Sequence, residues 1–369
     1  MDKIRLLKAV DRIVGTPLVH LCSLFASGRD KKSVQPERLL FVRPGGIGDA
    51  VLLLPAVAAF KRVYPQAVID ILCEKRNAGV FMLSADISRV YCYDRGIDLF
   101  RCLRNTYDAA IDTEQWHRLS AVVTFLTGAP VRIGFDTNDR GLLFTHKTAY
   151  SHDDYEAESF LNLLNHLLSS PVRFRPDIPF VDVSPFAMPA AFIESPERRD
   201  RMVALFPGAS VQERKWGGER FGEVASLLYE KGFGVLILGS VADREEAARI
   251  RDFAPHAIDL TGKTSLAEAA MVLHRCRLLI SADSGLLHIA VSVGTPTVSL
   301  FGSGIEKKWA PRGGLHRVIT SGLPCSPCTR FGYTPHCNNA VRCLSEITAT
   351  RVTQAAEEIL SRSVDKESA

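Results

Sequence analysis

Two short stretches constrain what this chain can fold into. They are Arg43-Pro-Gly-Gly-Ile-Gly-Asp49 and Asp283-Ser-Gly-Leu-Leu-His288. Each follows an apolar, strand-like run and opens a helix-like run. Each therefore sets small residues and a carboxylate at a helix N-terminus, where free N–H groups and the helix dipole favour anions. Two such termini, far apart in sequence, predict two similar α/β halves facing each other across a cleft.

The pattern between them agrees. Apolar runs at 38–43, 68–73, 90–93, 109–112 and 131–135 alternate with helical patterns, and a helix is expected over 50–63 with a kink at Pro55. Residues 171–200 are proline-rich and read as a boundary. Strands then resume at 202–206, 235–238, 257–260, 278–282 and 296–300, and a last helix is expected over 348–361. Continuous apolar strands between helices indicate parallel sheets covered on both faces. The predicted division is an N-terminal segment 1–37, a first Rossmann-like domain 38–185 and a second 186–369.

The 369 residues are 46% apolar and 23% charged, with a net charge of +4, too small to argue for a nucleic-acid partner. Residues 1–37 carry no secretory cleavage signal. Their charge-free stretch, Ile13 to Gly28, is shorter than the roughly 20 residues of a spanning helix. Lys3, Arg5, Lys8 and Arg12 precede it, and Arg29, Lys31 and Lys32 follow. This predicts an amphipathic segment on an anionic membrane face. The plain alternative is a helix packed on the protein's own core.

Gly45, Gly46 and Gly48 lack the spacing of a dinucleotide fingerprint, although Glu74 ends the second strand where a ribose-binding acid would sit. A nicotinamide-dependent oxidoreductase therefore stays open as an alternative. Asp49 would repel a pyrophosphate and suits a neutral hydroxyl, whose proton a carboxylate can accept. It also reads as an ordinary first-turn acid. Pro207-Gly-Ala-Ser210 leaves the next half's first strand, with Lys215 five residues on as a cation for phosphate, or simply as a solvated lysine. Glu245 follows Gly239 into a helix and could accept from ribose hydroxyls, though acids in a first turn are common. Asp283 or Ser284 caps a helix, Gly285 admits a ligand to the backbone, and His288 shares the face of Ser284. That is a diphosphate site, or a capped helix with a packed histidine. Cys325, Cys328, Cys337 and Cys343 cluster in segment 325–343 with partly zinc-like spacing, His336 and His316 being substitute ligands. A structural zinc, disulfides and plain thiols are the three readings.

Read in order, Gly-Ile-Gly-Asp49, the Pro-Gly loop to Lys215-Trp216, Asp-Leu-Thr-Gly-Lys-Thr264 and Asp-Ser-Gly-Leu-Leu-His288 resemble glycosyltransferase family 9 over residues 38–360. These are the bacterial heptosyltransferases of the lipopolysaccharide inner core. The resemblance implies a GT-B fold, acceptor binding in the first half and a nucleotide sugar, typically ADP-heptose, in the second. It makes Asp49 the catalytic base, beside an acceptor-side loop of Gly45, Gly46 and Gly48. It makes Lys215 the donor-phosphate lysine, Ser210 its neighbour in that loop, Glu245 the ribose acid and Thr264 a residue near the base. Asp283, Ser284, Gly285 and His288 match its donor motif. Transfer would invert the anomeric centre and need no cofactor. The acceptor would be a lipid-linked saccharide, met by a cytoplasmic protein at the inner-membrane surface. The N-terminal segment and the four cysteines depart from the family pattern and leave acceptor and sugar open. A non-catalytic, membrane-attached binding protein is the remaining alternative.

Overall fold

The computed structural model describes residues 8–26, 36–193 and 201–365. Lys3, Arg5, Arg29, Lys31, Lys32 and Pro196 lie outside the described residues. The chain divides into two compact units between Phe174 and Arg175. Residues 175–185 group with the second unit, and the Phe180 and Val181 N–H groups both donate to Ser292 O, at 2.9 and 3.0 Å.

The first unit carries six parallel strands: β1 (Arg38–Arg43), β2 (Val68–Cys73), β3 (Arg89–Cys92), β4 (Ala109–Asp112), β5 (Val131–Phe135) and β6 (His146–Thr148). Their order is β3-β2-β1-β4-β5-β6. The second unit has β7 (Met202–Phe206), β8 (Gly234–Ile237), β9 (Ile258–Asp259), β10 (Leu278–Ala282), β11 (Thr297–Leu300) and β12 (His316–Ile319), in the order β12-β11-β10-β7-β8-β9. Counted from its own first strand, each sheet runs 3-2-1-4-5-6. Chain connections leave the central pair, β1 with β4 and β7 with β10, in opposite directions. That opens a crevice beyond the carboxyl ends of those strands.

Central strands match the apolar runs because both faces are covered; β1 and β10 are buried almost throughout. The edge strands β6 and β12 carry no such run, since their outer flank meets solvent, and the periodicity does not reveal them. The first helix after β1 starts at Ile47, not Ala50, because Gly46 is the last extended residue (φ −74°, ψ 160°). Asp49 therefore lies in the first turn, and the helix runs on through Pro55 to Val63. In the second unit, Trp216 packs edge-on to Phe221 and its indole N–H donates to Ile347 O at 3.0 Å. This ties the loop after β7 to the base of the last helix, Ala349–Asp365.

The N-terminal segment docks on its own unit. Asp11–Gly15 is wound as a π-helix and continues into the α-helix Thr16–Ser23. Asp11 is buried, and its Oδ1 accepts the Leu119 N–H at 3.0 Å, capping the helix Arg118–Leu126 from outside. Val19 joins Ala121, Val122, Leu143 and Phe144 in a small apolar cluster. The alternative of packing on the core thus holds for the inner face. No helix among the described residues is long and apolar enough to cross a membrane.

On β12, burial pushes the His316 imidazole down from 6.5 to about 4, with Asp177 opposing in part. The unfolded chain takes up a proton near pH 6.5 that the folded chain refuses until about pH 4. Stability is therefore lost as pH falls through that window. Thermal unfolding followed from pH 7 to pH 4 is expected to show this loss, and His316→Gln to flatten it. An equally steep loss in the variant would assign the acid sensitivity elsewhere.

Candidate active site

The first crevice lies at the ends of β1 and β4. Arg43 closes β1 and is buried, with the guanidinium fixed from three sides. Nε donates to Pro44 O at 2.7 Å and Nη1 to Thr113 O at 2.8 Å. Nη2 stands 3.6 Å from Asp49 Oδ2 and 3.8 Å from Glu114 Oε2. Burial works against the Arg43 charge, and Asp49, Glu114 and Glu156 more than offset it, so the group titrates above its usual value. Burial alone would raise the Glu114 carboxyl. The charges of Arg43, His117 and Arg140 and the Trp116 N–H, 2.9 Å away, hold it below the usual range instead. Asp49 is 23% exposed and Glu114 only 8%, so Asp49 is the member of the pair that a ligand can reach. Tyr150 hydrogen-bonds Glu156 at 3.4 Å; burial, then Glu156 and Asp49, push its hydroxyl well up. Asp112 and Arg140 form a fully buried pair at 2.8 Å behind this cluster.

Gly45 (φ +109°) makes the turn, a conformation that glycine adopts without strain. Its N–H donates to Glu74 Oε1 at 3.1 Å, and the same oxygen accepts the Tyr93 hydroxyl at 2.7 Å. Arg76 pairs with the other oxygen of Glu74. Glu74 is thus committed to shaping the glycine loop, which weighs against the dinucleotide reading.

The second crevice lies at the ends of β7 and β10. Ser284 caps the helix Gly285–Ser292, accepting the Leu287 N–H at 3.2 Å, and its hydroxyl meets that of Ser281 at 2.9 Å. His288 is buried one turn in. Asp283 packs so closely on Gly304 that a Cβ there would overlap the carboxylate. Across the crevice, Arg214 Nη1 reaches Asp283 Oδ2 at 3.1 Å. Arg214 Nε is buried with no hydrogen-bond partner among the described residues.

Lys215, one residue on, instead lines a hollow with Trp216, Gly217, Glu246 and Arg249. Glu245 is 80% exposed and pairs with Arg249 at 2.6 Å. Asp243, by contrast, is buried and accepts the N–H and hydroxyl of Ser240 at 2.8 and 2.7 Å. A Cβ on Gly208 would overlap its carboxylate, so Asp243 spans the loops after β7 and β8. Ser210 is exposed on the β7 loop, and half-buried Thr264 precedes the Ser265 cap of the helix Leu266–Arg275. The crevice therefore gathers Asp283, Ser284, Gly285 and His288 with Arg214.

The sequence profile of glycosyltransferase family 9 (heptosyltransferase) matches residues 97–335. The chain belongs to glycosyltransferase family 9. Lipopolysaccharide heptosyltransferase 3 of Escherichia coli is 25% identical over 294 residues, 72% of this chain and 83% of the relative. A family 9 glycosyl transferase from Veillonella parvula superposes with a TM-score of 0.73 at 20% identity, over 88% of this chain and 98% of that one. The Escherichia coli heptosyltransferase WaaC with ADP-2-deoxy-2-fluoro heptose gives 0.69 at 20% identity, over 87% and 99%. The transferase accordingly has the GT-B fold, with two Rossmann-like units. It is an enzyme of glycosyl transfer.

The cysteine cluster of the transferase departs from one expectation. All nine cysteines are free thiols. Burial first, then Cys337 and Cys325, raise the Cys328 thiol, and burial, then Cys328, Cys337 and Cys325, raise that of Cys343. The four share a neighbourhood. Among the described residues, however, no three His, Cys, Asp or Glu side chains are placed to hold one metal ion, so the zinc reading does not fit this arrangement. Four residues of the crevices escape sequence reasoning: Arg43, Glu114, Arg214 and Asp243. Arg43 and Glu114 lie within two residues of the carboxyl ends of β1 and β4, whereas Arg214 and Asp243 sit further out, in the loops after β7 and β8.

Proposed function

We propose that the transferase moves heptose from ADP-heptose to a hydroxyl of a lipopolysaccharide core or related glycolipid, with inversion. The observation that carries this is Asp49, an accessible carboxylate in a first helical turn at the switch point of its sheet, backed by a buried arginine. Asp49 takes the proton of the acceptor hydroxyl as that oxygen attacks the anomeric carbon. The bond to the nucleoside diphosphate breaks, and its electron pair leaves on the phosphate oxygen. The glycine loop, Gly45, Gly46 and Gly48, lets the acceptor approach the backbone.

On the donor side, the diphosphate sits at the N-terminus of the helix Gly285–Ser292, with Ser284 and His288 beside it. Arg214 neutralises the leaving group, a reading supported by its ion pair with Asp283. Lys215 and Ser210 reach the phosphates from the same loop as secondary contacts. Thr264 flanks the base. The ribose hydroxyls fall to Glu245, which is exposed at the start of the helix after β8, with the buried Asp243 fixing the loop behind it. The proposed steps use side chains and a helix terminus alone. The acceptor is lipid-linked, so the protein works at the cytoplasmic face of an anionic membrane.

The test is nucleotide release with ADP-heptose offered beside UDP-, GDP- and dTDP-sugars and a lipid A-core acceptor. Acceptor-dependent ADP release is expected. Release from another nucleotide sugar would remove the heptose assignment and keep the transfer, and no release from any would remove both.

A further inference from the structure

The helix pair at the N-terminus has two faces of different fate. Asp11, Gly15 and Val19, spaced by four, turn inward. Val10, Ile13, Val14, Pro17, Leu21, Leu24 and Phe25 follow helical spacing on the outside, and all are exposed. Ile13 is 69% exposed, Leu24 79% and Phe25 73%. A water-facing helix normally puts polar residues there. An apolar stripe left in solvent marks an interaction site.

We propose that this stripe is the membrane-docking face of the transferase, with the segment staying clipped to its unit and lying in the headgroup layer of an anionic leaflet. The inward anchors argue for the clip. Asp11 caps the helix Arg118–Leu126, and Lys8 Nζ stands 4.6 Å over the Trp116 ring, so the segment is held at its start. The charge pattern argues for lipid. Residues 1–32 hold seven basic side chains against three acidic ones, and one acid, Asp11, is buried. Arg12 is exposed within the stripe's own stretch. Anionic headgroups attract such flanks while the stripe enters the acyl boundary. A second copy of this chain would bring like charges together. The inference deepens the proposed function by orienting the first unit, and it rests on that reading only for the lipid-linked acceptor.

The test is flotation of the full chain with vesicles of phosphatidylglycerol and phosphatidylethanolamine, against phosphatidylcholine alone. The wild type is expected to float with the anionic vesicles. The variant carrying Ile13→Gln, Leu21→Gln, Leu24→Gln and Phe25→Gln is expected to lose binding by about tenfold or more. Its nucleotide-dependent heat protection is read separately and should stay, since these side chains face away from the core. A Phe25→Trp reporter should shift to the blue on adding anionic vesicles. Equal flotation of variant and wild type, or no blue shift, would overturn the proposal. So would concentration-dependent dimers that the variant abolishes, without any flotation, which would give the face to a second copy. Loss of ADP release with flotation intact would count against the transfer reading and leave this one standing.

Discussion

Asp49→Asn is expected to lower acceptor-dependent ADP release by roughly 10²–10⁴-fold, the usual weight of a general base. Asparagine keeps the size and the hydrogen-bonding reach but cannot take a proton. Binding of ADP, read as heat protection, should be unchanged, because Asp49 belongs to the first unit's crevice. The fold should also survive. Arg43 keeps Glu114 at 3.8 Å, and its bonds to Pro44 O and Thr113 O do not involve Asp49. Transfer at the wild-type rate would remove Asp49 from the base role and turn attention to Glu114, the next carboxylate on the same arginine.

Arg214→Ala is expected to lower turnover by about 10²–10³-fold, the effect of deleting one fixed donor aimed at developing charge. The companion Lys215→Ala should cost less than about tenfold, on the scale of a half-buried charge with no fixed partner geometry at the helix terminus among the described residues. The contrast is informative because the two cations are neighbours in sequence and differ in placement. Arg214 is oriented by Asp283, whereas Lys215 faces the hollow beside Trp216. Arg214→Lys should recover only part of the loss, since a lysine cannot keep the fork geometry toward both Asp283 and a phosphate. The reverse ranking, with Lys215→Ala the more damaging, would restore the lysine as the principal donor cation.

The central strands and the two helix N-termini were legible because burial on both faces writes itself as unbroken apolar runs, and tight turns write themselves as glycine. Asp283, Ser284 and His288 were found this way, from a strand that meets its cap without a loop. Position along a turn was not legible. Between Ser210 and Trp216, Arg214 and Lys215 are interchangeable cations on paper, and only the ion pair with Asp283 distinguishes them. Asp243 and Glu245 pose the same problem in one helical turn. The buried half of the first crevice was hidden for another reason. Arg43 and Glu114 meet across 71 residues of chain, and local pattern carries nothing about partners joined only by strand order. The N-terminal segment posed a choice between core packing and membrane contact because periodicity shows that a helix has faces, not what covers each.

The pairing of Arg43 with two carboxylates has a consequence during turnover. With Asp49 as the base we propose, its negative charge disappears as it takes up the acceptor's proton, and an arginine with one counter-ion would be left as an isolated cation in a buried place. Glu114, held low and out of a ligand's reach, remains as the standing counter-charge. On that proposal, protonation of Asp49 leaves Arg43 still paired with Glu114, not alone in a buried place.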